Sequence, residues 1–300
     1  TFRSKIKMKI RPDVLKLVPE LEIRARRMLP ALTSGNIRSR FRGSGMQFRE
    51  FRPYEFGDDI RHMSWSVTAR TGHPTLKTFE EERDLNIVLL VDVSGSTLFS
   101  FNHLKKRDMI LEAVALLSLG AVKNQDNVGL LLFDETHLDY LPPKRTREQV
   151  RIILHKLSNF DCKNRKSDLR PALKYLSQVL KAPSLVIVLS DFLIPDFEKE
   201  FKTMASRHEF LLMHCYDDAE RGMGLKGIYE VCDPETGEFL ILDGKDPEVV
   251  NHLSKRSMET SQTLERLTQN TRSDYLTLST QDDYLKRMVH FFRERSSFGK

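Results

Sequence analysis

Two stretches of this chain, Ile87–Val91 and Val186–Leu189, are apolar at every position, and each runs on into a carboxylate, Asp92 directly and Asp191 by way of Ser190. A half-buried strand alternates apolar and polar residues, whereas an unbroken β-branched and aliphatic run of this length reads as a strand buried on both faces. Such strands belong to parallel sheets covered by helices on both sides. The same kind of pattern recurs at regular intervals. Strands are predicted near 86–92, 127–133, 184–190, 209–215, 238–242 and 274–279, and helices over 103–123, 146–158, 168–180, 196–207, 246–269 and 282–295. Alternating β and α units predict an α/β fold with a doubly wound, mostly parallel and Rossmann-like sheet, spanning residues 84–300.

Residues 1–83 read differently and are expected to form a basic, helical and β-rich N-terminal extension packing on the main domain. Val14, Leu15, Leu17, Val18, Leu21, Ile23, Met28 and Leu29 fall at helical spacing, interrupted near Pro19. From Gly35 to Phe79 the chain is rich in Arg, Gly and aromatics, and the alternation over Met46–Arg52 suggests short strands and turns. Gly57-Asp58-Asp59 reads as a turn with a helix N-cap, Trp65 as an apolar anchor, and Arg61, Arg70 and Lys77 as partners for the acids. The net charge of +6 arises here, since residues 1–52 hold 14 Lys/Arg against 4 Asp/Glu and the other 248 hold 34 against 38. An excess of this kind attracts acidic partners. No apolar stretch reaches the roughly 18 residues of a membrane span. With no such span, and no continuous apolar segment of a signal peptide over Thr1–Ile10, the expected location is cytoplasmic, and three well-separated cysteines, offering neither a disulfide framework nor a zinc knot, read as reduced thiols.

In open α/β sheets ligands bind outside the carboxyl ends of the strands. There the first buried run empties into Asp92-Val93-Ser94-Gly95-Ser96. Lys166-Ser167-Asp168-Leu169 precedes a predicted helix, and Asp191 ends the second run, so three loops open on one sheet edge. Carboxylate and hydroxyl oxygens suit a small hard cation such as magnesium, which takes six oxygens at about 2.0–2.1 Å. The competing reading is that Asp92 and Ser94 merely cap the turn that follows.

These residues resemble the metal-ion-dependent adhesion site of the von Willebrand factor A fold, which joins an Asp-x-Ser-x-Ser loop, a Thr from a second loop and an Asp from a third. Asp92, Ser94 and Ser96 match the first loop and Asp191 the third. Ser167 stands where that family usually has Thr and keeps the hydroxyl. The resemblance implies Mg2+, or another divalent cation such as Mn2+ or Ca2+, whose last ligand is an acidic side chain of a partner protein. It implies binding rather than catalysis. A longer signature, Phe51-Arg52-Pro53-Tyr54-Glu55-Phe56-Gly57-Asp58-Asp59-Ile60-Arg61-His62-Met63-Ser64-Trp65 with Ala69-Arg70-Thr71-Gly72 and Lys77-Thr78-Phe79-Glu80-Glu81-Glu82-Arg83, resembles bacterial proteins of domain-of-unknown-function family 58. That resemblance implies a von Willebrand A-like domain after an N-terminal region. It also implies an adaptor or partner role beside a MoxR-type AAA+ ATPase in the assembly or maturation of other proteins.

Other motifs point elsewhere and carry less. Gly222-Met223-Gly224-Leu225-Lys226-Gly227 fits a dinucleotide fingerprint, but a strand-like segment follows it instead of the helix that would hold a pyrophosphate. No phosphate-binding Gly-x-x-x-x-Gly-Lys-Ser/Thr loop is present. His214-Cys215 sit on opposite faces of a strand and do not form a catalytic pair, and His155 with Cys162 lacks a third, orienting group. A metal-dependent hydrolase would use Asp168 as its base. A nucleic-acid surface would use Arg38, Arg40, Arg42, Arg49 and Arg52 with the phenylalanines between them.

Overall fold

The computed structural model describes residues 45–82, 85–101, 104–160, 166–232, 238–271 and 273–297. The helical periodicity over 11–33, Arg38, Arg40, Arg42 and Cys162 lie outside the described residues. Two compact units separate, residues Phe41–Leu85 and the domain from Asn86 onward.

In the smaller unit, β1 (Gly45–Pro53) pairs antiparallel with β2 (Thr75–Glu82), with a register shift between Phe48 and Glu50. The connection carries a 3-10 turn, Ile60–His62, and the short helix α1 (Trp65–Thr71). Asp59 caps the 3-10 turn by accepting from the Arg61 amide at 2.9 Å, as the Gly-Asp-Asp turn predicts. Its neighbour Asp58 takes both arms of the Arg52 guanidinium at 2.6 and 2.8 Å. Arg61 pairs with Asp59, while Arg70 donates to the Ser66 carbonyl instead of to an acid. Trp65 is 71% exposed.

The larger domain is built on a six-stranded sheet of order β10-β7-β6-β3-β4-β5. Its strands are β3 (Asn86–Asp92), β4 (Asn127–Phe133), β5 (Leu138–Lys144), β6 (Ser184–Ser190), β7 (Glu209–Tyr216) and β10 (Asp274–Ser279). All neighbours run parallel except β4 and β5. The helices are α2 (Lys106–Lys123), α3 (Arg147–Asn159), α4 (Leu169–Val179), α5 (Glu198–Ala205), α6 (Pro247–Thr271) and α7 (Tyr284–Ser297). This is the doubly wound, mostly parallel α/β fold predicted from the alternating pattern. Val88, Leu90, Val186 and Val188 on one sheet face pack with Leu169, Ala172, Leu173 and Leu176 of α4, an i, i+3, i+4, i+7 stripe. Each of the valines and leucines among them contributes about 1.5–3 kcal/mol on burial.

Two departures from the sequence reading have clear causes. The edge strand β5 contains Pro142 and Pro143, which argue against a strand by composition and yet suit an edge that must not recruit another. Gly129 permits the close approach of this edge, since a Cβ there would lie 2.7 Å from the Leu141 carbonyl oxygen. The segment predicted near 238–242 forms β9 (Phe239–Asp243), which pairs with β8 (Ile228–Cys232) in a separate hairpin rather than joining the main sheet.

Candidate metal site

The strand order reverses between β3 and β6, and a doubly wound sheet opens a crevice at the carboxyl ends of such a pair. Register then fixes what meets there. Val91 lies beside Leu189, so Asp92 and Ser190, one residue further along each strand, fall side by side. Ser190 Oγ accordingly donates to Asp92 Oδ2 at 2.6 Å. Ser167, from the loop ahead of α4, donates to the same oxygen at 2.8 Å, and the Ser94 amide donates to Asp92 Oδ1 at 2.9 Å.

The first loop is held from within. Ser94 opens a 3-10 turn over Gly95–Leu98, its carbonyl accepts the Thr97 hydroxyl at 2.7 Å, and the Val93 amide donates to the Phe133 carbonyl at 3.0 Å. The Ser94 and Ser96 hydroxyls are 3.0 Å apart, and Ser96 also bonds Asp191. The third loop turns sharply through Phe192, which adopts a left-handed backbone at φ 54°. Its amide donates to Ser190 Oγ at 2.9 Å, and the Leu193 amide donates to Asp191 Oδ1 at 3.2 Å. All five residues expected at the site, Asp92, Ser94, Ser96, Ser167 and Asp191, are buried at this edge.

Sequence reasoning missed three others. Ser190 stood one position before a residue already chosen, and its role was readable from the parallel register alone. Lys106 and Glu220 gave no such signal. Lys106, 1% exposed, reaches from the start of α2 to Asp191 Oδ2 at 2.7 Å and to Glu220 Oε1 at 2.6 Å. Glu220 lies in the 3-10 turn Asp218–Arg221 after β7, where its other oxygen accepts the Asp217 amide at 2.9 Å in a capping box.

The two carboxylates have opposite electrostatics. Burial, and then the charge of Asp191, push the Asp92 carboxyl up to about 6, against the hydrogen bonds it accepts. Burial also works against the charge on Asp191, but the Lys106 ammonium beside it holds that carboxyl below the ordinary range. Burial likewise disfavours the Lys106 charge, and Asp191 with Glu220 more than offset it, so the ammonium is held above its usual value. Burial raises Glu220.

The residues fit a hard cation. Every candidate ligand is an oxygen, three of the five being serine hydroxyls, and among the described residues no group of three His, Cys, Asp or Glu is placed to hold a metal ion. A serine hydroxyl has one proton and two lone pairs. Ser167 spends its proton on Asp92 and keeps lone pairs for an ion. A carboxylate pushed up by burial and by a like charge is what an added cation would relieve.

A cavity of about 710 Å³ reaches the site at Asp191 and Glu220. Phe99, Phe101, Tyr229, Leu242 and Leu253 line it among others, and the Phe101 and Tyr229 rings meet edge to face at 5.1 Å. The other candidates stand elsewhere. Asp168 caps α4 and is engaged by the Arg170 guanidinium at 2.6 Å. His214 bonds the Tyr275 hydroxyl at 2.9 Å through Nδ1, and burial lowers it to about 3. Burial pushes the Cys215 thiol up, away from a reactive thiolate. Gly222 ends a 3-10 turn at φ 74° and β8 follows, so the Gly-rich segment opens no helix. Of the arginine cluster, Arg52 is engaged by Asp58.

A family model described as "Protein of unknown function DUF58" matches residues 50–263. "Uncharacterized protein Rv1480" of Mycobacterium tuberculosis is 26% identical over 290 residues, covering 95% of this chain and 90% of that protein. "Uncharacterized protein Mb1516" of Mycobacterium bovis matches to the same extent, 26% over 290 residues. Among solved structures, an aerotolerance-related membrane protein from Bacteroides fragilis has a TM-score of 0.46 at 10% identity, covering 71% of this chain and 99% of that one. BatB from Bacteroides thetaiotaomicron has a TM-score of 0.45 at 10% identity, with the same coverage of 71% and 99%. The SpRpn10 VWA domain has a TM-score of 0.39 at 8% identity, covering 70% and 95%.

Proposed function

The chain belongs to the DUF58 family, whose description assigns no activity, and from that premise we propose that it is a non-enzymatic, divalent-metal-dependent protein-interaction module. The observation that supports the reading most is Asp92. It is a carboxylate surrounded by hydroxyls from three loops and raised first by burial and then by a second carboxylate, Asp191. In this reading Ser94, Ser96 and Ser167 would hold the ion directly, with Asp92 and Asp191 supplying the compensating charge. Mg2+ suits the set, and Mn2+ or Ca2+ would serve the same oxygens. When bound, the ion supplies a Lewis-acidic point for an acidic side chain of the partner. The protein's own part is to orient the hydroxyls, through the Asp92 network and the 3-10 turn, before the partner arrives.

The partner we propose is a MoxR-type AAA+ ATPase, with this chain as an adaptor in the assembly or maturation of other proteins. Support for that step comes from the family resemblance and from the lack of a phosphate-binding loop in this sequence. Among the described residues no helix is long and apolar enough to cross a membrane. Calorimetric titration with magnesium tests the metal. Saturable binding to the native chain and none to Asp92→Ala is expected, and equal, negligible heats in both would remove the reading.

A further inference from the structure

Lys106 is the most deeply buried charge of the site that this function leaves unused. Lysine is almost never fully buried unless it is paired, and an ammonium at the first position of α2 opposes the helix dipole. Local preference therefore does not account for its place; its partners do. Nζ touches Asp191 and Glu220 and lies 5.8 Å from the centre of the Phe99 ring, at the end of the first loop. It thus sits against the carboxylate that a divalent ion would also draw on.

We propose that Lys106 is a tethered cation that competes with the divalent ion for Asp191, moving wholly onto Glu220 when metal binds. The proposal rests on the metal reading above. Three features of the geometry support it. The ammonium already divides its hydrogen bonds between one carboxylate inside the metal set and one outside it, so transfer between them needs no large movement of the chain. Among the described residues Asp92 has no such resident cation, so the demand for an ion falls on that side of the site. Glu220 is fixed by its capping bond to the Asp217 amide and is held ready as the receiving partner. In the absence of metal the lysine keeps the third loop neutralised and ordered. Metal entry then carries a cost that sets a threshold concentration for partner binding.

The test uses the full chain as wild type, Lys106→Met and Glu220→Gln, titrated calorimetrically with magnesium chloride and melted in EDTA and in magnesium. Lys106→Met should bind magnesium about tenfold or more tightly than wild type, melt lower in EDTA, and regain stability in magnesium. Glu220→Gln keeps an oxygen for the Asp217 amide but loses hold of the ammonium, which should concentrate on Asp191 and weaken magnesium binding. Equal affinity in wild type and Lys106→Met overturns the competition and leaves the metal site standing. No binding in any of the three overturns both. Should Lys106→Met fail to fold, Glu220→Gln decides alone, and unchanged or tighter binding sinks the idea. A magnesium-soaked crystal separates displacement from a through-space effect. Nζ should leave Asp191 and stay on Glu220, and an ammonium still at hydrogen-bond distance from Asp191 beside a bound ion contradicts the proposal.

Discussion

The loops that end β3 and β6 each carry one fully buried carboxylate, yet the two live under opposite conditions. Asp191 has a cation of its own in Lys106, while among the described residues Asp92 has hydroxyl and amide donors alone. Neutral donors soften the desolvation of a carboxylate but do not cancel its charge. The difference teaches where the site is electrostatically incomplete. It is the Asp92 side, lined with serine oxygens, that calls for an ion, and the Asp191 side that is already served.

The sharpest way to break this contrast is Asp191→Ala. Removing Asp191 leaves Lys106 with Glu220 as its remaining carboxylate, so a loss approaching the about 3–5 kcal/mol of a broken buried ion pair is expected in urea unfolding. Asp92→Asn should act in the opposite sense without metal. The folded carboxyl of Asp92 is raised to about 6 from 3.8, so its contribution is present below pH 4 and is lost as pH rises through 6. At neutral pH in EDTA the amide variant should therefore be the more stable, by up to about 3 kcal/mol. Added magnesium should stabilise only the wild type, and a wild type that stays the more stable in EDTA would contradict the assignment.

His214 provides a control of the opposite sign at the same sheet edge. Its folded value is lowered to about 3 from 6.5, so below pH 6.5 the unfolded chain takes up a proton that the folded chain does not. Stability should fall with acid in that window. Between pH 7 and 5 the wild type should lose about 2 kcal/mol more than His214→Gln, read from paired denaturation curves. The smallest effect expected is that of Ser167→Ala, which deletes one donor to Asp92. It should cost about 1 kcal/mol and weaken magnesium binding, whereas Ser167→Thr should retain both.

Much of this molecule was legible because burial on both faces leaves a plain mark. Strands 86–92, 127–133, 184–190 and 274–279 appear where the apolar runs predict them, and parallel pairing then brings Asp92, Ser167 and Asp191 together. Other features do not show in a local pattern. Lys105-Lys106-Arg107 reads as a solvated helix start, and only the packed fold shows that the middle residue points inward to two acids. The strand β5 hid behind its prolines, and the hairpin β8–β9 had strand periodicity with no sign of which sheet it would join.

A phenylalanine at φ 54° adopts a conformation that its own backbone disfavours by about 1–3 kcal/mol. What opposes the relaxation of Phe192 is its ring, stacked 6.1 Å from Phe197 and set edge-on 5.8 Å from His214. Phe197 in turn meets Phe201, which meets Phe210 at 4.7 Å. The bearing of the third loop is thus set by a chain of rings that runs away from the crevice into the interior. A change at Phe201, which touches no candidate ligand, would thin the packing beneath that loop.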